Sequence, residues 1–184
     1  MIRIGVTGHR ILADVERVED GVRQALRRIA DAFPGEPWTA VSSLAEGADQ
    51  LVVQHILARA GSRLVVPLPL PTEDYLLDFG SSGSRERFRQ LLARAAEVVE
   101  LPAAQSRPQA YAAAGVYVVD HCEVLIALWD GQGGQGEGGT ASIVARARGC
   151  GLPLAWVHVG NRKPGTVEPT SLGAEQGQVT LENL

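Results

Sequence analysis

Short apolar runs of strand length alternate along this chain with segments whose apolar positions recur at helical spacing. The runs predict strands at residues 2–6, 38–41, 63–66, 97–101, 124–129 and 152–158. Helical spacing predicts helices between them, and the first of these carries one apolar face formed by Val15, Val18, Val22, Leu26, Ile29 and Phe33. This alternation is typical of a parallel sheet that helices cover on both faces.

Two segments depart from the alternation. Pro67, Pro69 and Pro71 predict an extended passage without helix, followed by a loop that carries Tyr75 and Phe79. From residue 160 onward the chain is rich in Gly, Pro, Thr and Asn, which predicts a tail that is packed on the surface or partly mobile. With 184 residues and 45% hydrophobic content, we expect a single domain over residues 1–158 and a tail over residues 159–184.

Charge and composition narrow the classes of partner. The net charge of -4 lacks the basic excess of most nucleic-acid-binding domains, so we expect no nucleic-acid partner. No apolar run approaches the length that spans a membrane, and Met1 leads directly into the first strand without a signal-like leader, which favours a cytoplasmic protein. Cys122 and Cys150 form no C-x-x-C pair, so we expect two buried thiols and no metal site.

Ligands of open parallel sheets collect outside the carboxyl ends of the strands, and three loops there carry candidate binding residues. The first loop follows the first strand and consists of Thr7, Gly8, His9 and Arg10. Gly8 lets the backbone approach a ligand, Thr7 offers a hydroxyl group, and Arg10 can bind a phosphate or carboxylate through paired N–H donors. The structural alternative is a tight turn with a surface arginine.

The second loop follows the second strand, and its candidate residues are Ser42, Ser43, Glu46, Gly47 and Asp49. Ser43 and Glu46 have the spacing of a helix capping box, which is a sufficient structural explanation for both. A glycine in a first helical turn costs about 1 kcal/mol, so Gly47 favours close approach of something to the backbone. Asp49 either orients a ribose hydroxyl or favours the start of the helix.

The third loop is a glycine run at residues 131–139, between a buried strand and an alanine-rich helix. Gly131, Gly133 and Gly136 have the spacing of the dinucleotide-binding fingerprint, but the acidic residue that this motif requires about 20 positions later is missing. The loop contains no lysine, which excludes a Walker A loop. The predicted phosphate site is therefore Gly138, Gly139 and Thr140, where backbone N–H groups and the helix dipole attract an anion. A flexible linker is the structural alternative.

Taken together, the three loops resemble the SLOG superfamily, which includes the lysine-decarboxylase-like LOG proteins, the DprA-type fold and the YpsA/YspA-like branch. The resemblance covers residues 1–158 and is strongest to the last branch. It implies a Rossmann-like, three-layer α/β/α domain with a mostly parallel, doubly wound sheet. It also implies a nucleotide or nucleotide-derived ligand and a homodimer; no motif in the sequence specifies a further cofactor.

The chain departs from the LOG enzymes at their catalytic glutamate. Those enzymes split the N-glycosidic bond of nucleoside monophosphates, and the position of their glutamate, counted from Gly139 and Thr140, is Ile143 here. The carboxylates left for such chemistry are Asp130, Asp49 and Glu46, and Asp130 could equally cap the turn after its strand.

Three functions follow from this comparison of motifs. We expect a sensor or binding module for a small-molecule nucleotide. The alternative is a nucleoside-monophosphate N-glycosidase, that is, a phosphoribohydrolase that resembles the LOG enzymes. The third is single-stranded nucleic-acid binding of the DprA type, which the acidic balance disfavours.

Overall fold

The structure is a computed structural model that describes residues 1–133 and 139–184. Its strands are β1 (Ile2–Gly8), β2 (Trp38–Val41), β3 (Arg63–Leu68), β4 (Glu97–Glu100), β5 (Val124–Trp129), β6 (Leu154–His158) and β7 (Val179–Glu182). Its helices are α1 (Val15–Ala32), α2 (Ala48–Leu57), α3 (Thr72–Leu76), α4 (Ser82–Leu92), α5 (Arg107–Asp120) and α6 (Thr140–Gly149), with a 3-10 turn at Gly173–Glu175.

The strands form one sheet in the order β4-β3-β2-β1-β5-β6-β7. Pairing is parallel from β4 through β6, and β7 is antiparallel to β6. The chain winds outward from β1 to β4 and then continues at β5, on the other side of β1. The prediction of a Rossmann-like α/β fold with a mostly parallel, doubly wound sheet is confirmed, and its switch point lies between β1 and β5.

Helices cover both faces of the sheet, and side chains of successive strand residues point alternately into the two cores. On one face, residues such as Ile4 and Val6 pack against α1, α2 and α4. On the other face, Leu125 and Ala127 pack against α5 and α6. Every residue of β5 is buried, as its unbroken apolar run predicts for a central strand.

The proline-rich passage is extended only in part. Pro67 lies within β3, but Pro71 is the N-cap of α3, which carries Tyr75. The predicted loop at Tyr75 is therefore wrong. A proline has no N–H to donate, so it can stand at the start of a helix where no intrahelical bond is lost.

The C-terminal residues add to the sheet and to the loops beside it. β7 pairs with β6, and residues 161–170 form a hairpin in which Lys163 N–H donates to the Glu168 carbonyl at 2.9 Å. The buried side chain of Gln176 fastens this segment: its Oε1 accepts from Gly160 N–H and Leu172 N–H at 2.9 and 3.0 Å. Its Nε2 donates to the Ala13 carbonyl at 2.9 Å, which ties the segment to the loop after β1.

The two cysteines differ in their surroundings. Cys122 packs beside Gly5, and burial raises the pKa of its thiol to about 12. Cys150 follows the end of α6 and is exposed, and Cys122 is half-buried, so the expectation of two buried thiols is wrong. Within the described ranges, none of the helices combines the length and apolar character that a membrane crossing requires.

Candidate functional site

A cleft with a volume of about 720 Å³ opens at the carboxyl ends of β1 and β5. This is the switch point of the sheet, where the loops after the two strands diverge. The predicted site residues that line it are Thr7, Gly8, His9, Arg10, Ser43, Asp49, Asp130, Gly139 and Thr140. Ser42, Glu46 and Gly47 do not line it, and Gly138 lies outside the described residues.

The loop after β1 is held by its neighbours on both sides. His9 N–H donates to the Leu128 carbonyl of β5 at 3.0 Å, and the His9 carbonyl accepts from Ala48 N–H at 3.1 Å. A Cβ added to Gly8 would lie 2.5 Å from the Ala48 Cβ and 2.8 Å from the Leu128 carbonyl oxygen. Glycine at this position therefore lets α2 and β5 approach β1 closely, which places the start of α2 at the cleft.

His9 and Asp130 form a contact across the two central strands. His9 Nε2 accepts from Asp130 N–H at 3.2 Å and lies 3.3 Å from Asp130 Oδ1. Burial lowers the pKa of His9, and the negative charge of Asp130 offsets this effect only in part. The neutral ring, which accepts this hydrogen bond, is therefore favoured near pH 7. Asp130 Oδ1 also accepts from Gln132 N–H at 3.0 Å, so this carboxylate caps the turn after β5.

Arg10 is half-buried in the wall of the cleft. Its Nη1 donates to the Asp78 carbonyl at 3.2 Å, and its guanidinium lies 5.3 Å from the centre of the Tyr111 ring. The Asp78 carboxylate accepts from Arg107 at 3.1 Å and from the Tyr111 hydroxyl. These contacts join α5, the loop after α3 and the loop after β1 into one polar wall.

Asp49 lies in the first turn of α2 and is 6% exposed. The Ser42 hydroxyl donates to Asp49 Oδ2 at 2.7 Å and accepts from Leu44 N–H at 3.0 Å. Burial raises the pKa of Asp49 to about 6, and the hydrogen bonds from Ser42 and the Ala45 backbone and the charge of Arg10 oppose this rise. Ser42 thus acts on the cleft through Asp49, although it does not line the cleft itself.

The capping-box interpretation of Ser43 and Glu46 is wrong. α2 begins at Ala48 with Gly47 as its N-cap, and no side chain caps it. Gly47 has φ +86°, and a Cβ there would lie 2.2 Å from the Arg10 carbonyl oxygen. Glu46 instead accepts from Gly80 N–H at 2.9 Å. The glycine allows two loops of the protein itself to touch, and the glutamate holds the loop before α4.

The start of α6 forms the opposite wall. Gly139 is its N-cap with an extended backbone, and its carbonyl accepts from Ser142 N–H and the Ser142 hydroxyl at 3.0 and 2.7 Å. Apart from its neighbours in the chain, no described residue has an atom within 4 Å of a Cβ added to Gly139. Thr140 follows as the first helical residue. The first N–H groups of a helix lack partners within the helix, so this end of α6 offers donors to an anion.

Ile143 lines the floor of the cleft beside Gly115 of α5. A Cβ added to Gly115 would lie 2.2 Å from Ile143 Cδ1, so the glycine lets α5 and α6 pack closely at this point. The position of the LOG glutamate is thus occupied by a side chain that is 4% exposed and apolar. Among the residues that the structure describes, no carboxylate replaces it at this point of the floor.

The sequence motifs assigned no site role to several residues that line the cleft, among them Tyr75, Tyr111, Asn161 and Arg162. Tyr75 comes from the short helix α3, Tyr111 from α5, and Asn161 and Arg162 from the 161–170 hairpin. The hairpin brings polar groups from beyond residue 158 to the mouth of the cleft. In the part of the chain that the structure describes, no three His, Cys, Asp or Glu side chains group as metal ligands would.

Comparison with protein-family models and with curated proteins finds no match. Among solved structures, the fold is similar to that of DNA processing protein A from Helicobacter pylori, a structure described for its single-stranded DNA binding mode. That match has a TM-score of 0.56 and 17% identity, and it covers 96% of this chain and 69% of the other.

A second similar structure is the X-ray structure of TM1055, a structural genomics target. It matches with a TM-score of 0.50 and 16% identity over 84% of this chain and 72% of the other. At these identities, both similarities show the shared Rossmann-like architecture.

Proposed function

We propose that this protein binds a nucleotide or nucleotide-derived ligand in the cleft between the loops after β1 and β5, as a sensor or binding module of the SLOG type. The location supports the proposal, because ligands of doubly wound sheets bind at the switch point. The size also fits, since a volume of about 720 Å³ falls within the range of small-molecule sites.

The observation that carries the proposal is the open space at Gly139. Glycine has a packing role at Gly8, Gly47 and Gly115, where atoms of the protein fill the space of a Cβ. At Gly139, the described residues leave that space empty at the start of a helix that borders the cleft. A phosphate group at this position would receive backbone N–H donors and the positive end of the helix dipole.

Side chains around the cleft suit the rest of such a ligand. Arg10 supplies a positive charge, and Thr7 and Thr140 supply hydroxyl groups. Arg162 adds a second cation from the 161–170 hairpin, on the side of β6. The two arginines would offset the negative charge of a phosphorylated ligand.

Hydrolysis of a nucleoside monophosphate is a second candidate, and Asp49 is the observation in its favour. A buried carboxyl group with a pKa of about 6 borders the cleft and can carry a proton near neutral pH. Against this function, Ile143 occupies the glutamate position of the LOG enzymes, and Glu46 points its carboxylate to Gly80. Release of free base from a nucleoside monophosphate would support this candidate.

Single-stranded DNA is a third candidate ligand. The DNA processing protein A with a similar fold is described as a single-stranded DNA binder, which weighs against our expectation of no nucleic-acid partner. The net charge of -4 still disfavours a long phosphate backbone as ligand. A short oligonucleotide therefore belongs in the same binding assay. As the SLOG resemblance implies, we propose a homodimer, which native mass spectrometry tests directly.

The variant Gly139→Val tests the phosphate site. Its backbone angles suit valine, so the fold should persist while the added methyl groups occupy the space of the phosphate. Loss of one charged hydrogen bond, about 1.5–3 kcal/mol, predicts a roughly 10- to 100-fold weaker affinity for nucleoside monophosphates.

Isothermal titration calorimetry with the four ribonucleoside monophosphates, and with an oligonucleotide, measures this affinity. The control is Gly149→Val, at the far end of the same helix, where a Cβ also meets nothing within 4 Å among the described residues. The control should bind as the unmodified protein does. Equal affinities for Gly139→Val and the unmodified protein would show that the phosphate does not bind at this position.

A further inference from the structure

The buried side chain of Tyr75 brings a hydroxyl group to the cleft. Tyr75 is 1% exposed, and its ring packs edge-on against Phe79 and Phe88 at 5.2 and 5.6 Å between ring centres. These contacts fix the ring within the core beneath α3 and α4. The residue nevertheless lines the cleft, as Asp49 does.

Within residues 1–133 and 139–184, no hydrogen bond joins the Tyr75 hydroxyl to another residue, and this oxygen is not one of the fully enclosed unpaired side-chain atoms of that part of the chain, so it keeps access to the cleft. Buried hydroxyl groups of tyrosine normally have a partner, because an unpaired one costs about 1–3 kcal/mol. Phenylalanine would fill the same volume without this cost, and two of the three aromatic neighbours of Tyr75, Phe79 and Phe88, are phenylalanines; the third is Tyr111. An unpartnered hydroxyl at the wall of a cleft therefore indicates a group that a ligand completes.

Charged and polar groups surround this hydroxyl. Burial and the nearby charge of Asp49 raise the pKa of Tyr75 far above its usual range, so the hydroxyl stays neutral and can both donate and accept. Arg10 lowers the pKa of Tyr75, whereas Tyr111 and Asp78 raise it further. Asp49, held by Ser42 at 2.7 Å, lines the same cleft and supplies a hydrogen-bond acceptor there.

The charge at this end of the cleft disfavours a phosphate group. An ionised Asp49 repels an anion, whereas a neutral hydroxyl group can donate to the carboxylate and accept from Tyr75. The start of α6 lies on the opposite face of the sheet from α2, so the two ends of the cleft present different chemistry. A ligand with a phosphate at one end and hydroxyl groups at the other matches both.

We propose that Tyr75 and Asp49 form a subsite for a sugar hydroxyl group, so that the cleft selects phosphorylated ribosides over their deoxy counterparts. This inference rests on the proposed nucleotide-binding function and adds the part of the ligand that α2 and α3 recognise. Asp49 accepts a hydrogen bond from the sugar, and the Tyr75 hydroxyl donates to it. The phosphate lies at the start of α6.

The test compares Tyr75→Phe with the unmodified protein by calorimetric titration. The probes are the four ribonucleoside monophosphates, their 2′,3′-dideoxy counterparts and inorganic phosphate. Tyr75→Phe should weaken the binding of the ribonucleotides by about three- to tenfold, the worth of one hydrogen bond, and leave the dideoxy compounds and phosphate unchanged. The matched control is Tyr117→Phe, which removes a hydroxyl from α5 outside the cleft and should change no affinity.

The thermal midpoint of the ligand-free protein supplies a second readout. Tyr75→Phe should leave it nearly unchanged, because the variant keeps the packing of the ring and breaks no hydrogen bond among the described residues. A purely structural role would lower the midpoint and leave the ribose discrimination intact. Asp49→Asn provides an independent variant, and it should likewise weaken ribonucleotides more than dideoxynucleotides.

Three results would overturn the inference. Equal ribonucleotide affinities for Tyr75→Phe and the unmodified protein would show that the Tyr75 hydroxyl does not contact the ligand. Equal losses for ribonucleotides and dideoxynucleotides place its contact elsewhere on the ligand. If the unmodified protein binds none of the probes, the proposed function itself fails and the subsite fails with it, which distinguishes that outcome from the other two.

Discussion

The substitution Asp49→Asn should stabilise the ligand-free protein at neutral pH. Asp49 is almost fully buried, and burial raises its pKa from 3.8 to about 6. Asparagine keeps an oxygen that can accept from the Ser42 hydroxyl but carries no charge. The variant therefore removes the free energy that ionising a buried carboxyl group requires.

The magnitude follows from the two pKa values. A group whose folded pKa lies above its unfolded pKa stabilises the fold most at low pH, and this contribution is lost as pH rises toward the folded pKa. At about 1.4 kcal/mol per pH unit, the interval between 3.8 and about 6 corresponds to about 3 kcal/mol. The stability advantage of Asp49→Asn should thus grow by about 2–3 kcal/mol between roughly pH 4 and pH 7.

Urea unfolding of both proteins across this pH range measures the advantage at each pH. Asp31→Asn, which removes an exposed carboxylate from α1, is the control and should show a small and nearly constant difference. The reasoning is refuted if the advantage of Asp49→Asn does not change with pH, or if it shrinks as the pH rises. Such a result would mean that Asp49 is ionised in the fold without a penalty.

Two further predictions concern packing. Gly115→Ala places a methyl group 2.2 Å from Ile143 Cδ1 and should lower the free energy of unfolding, measured by urea titration, by about 1–3 kcal/mol. The double variant with Ile143→Val should recover this loss. An unchanged free energy of unfolding for Gly115→Ala would mean that α5 and α6 separate without cost. Gln176→Ala leaves Gly160 N–H and Leu172 N–H without their acceptor. This should lower the free energy of unfolding by about 2–4 kcal/mol and speed hydrogen exchange over residues 160–178. Exchange as slow as in the unmodified protein would contradict the anchoring role of Gln176.

The central strands of the sheet were predictable because they are buried on both faces. Val124–Trp129 is an unbroken apolar run, and such a run has few alternatives to a central parallel strand. The polar strand Val179–Glu182 gave no such pattern, since it lies at the edge and its residues are half-buried or exposed. Its position depends on pairing with β6, which is a contact between distant parts of the chain.

The sequence predicted which loops form the site, but it did not predict the roles of the glycines in those loops. Gly8 and Gly47 were interpreted as points of ligand approach, whereas the atoms nearest to them belong to Ala48, Leu128 and Arg10. Sequence spacing alone does not distinguish a glycine that faces another loop from one that faces open space. Tyr75 escaped for a related reason: its α3 helix has only five residues and follows three prolines, too short a segment for a periodic signal.

The antiparallel pairing of β7 with β6 bears on how this protein should be prepared for study. Ending the chain at residue 158, where the strand-and-helix alternation stops, would remove β7 and leave the N–H and C=O groups of β6 open to other molecules. The same cut would delete Asn161 and Arg162 from the cleft. A shortened sample would tend to self-associate along that bare edge, and its failure to hold a nucleotide would report on the truncation rather than on the protein.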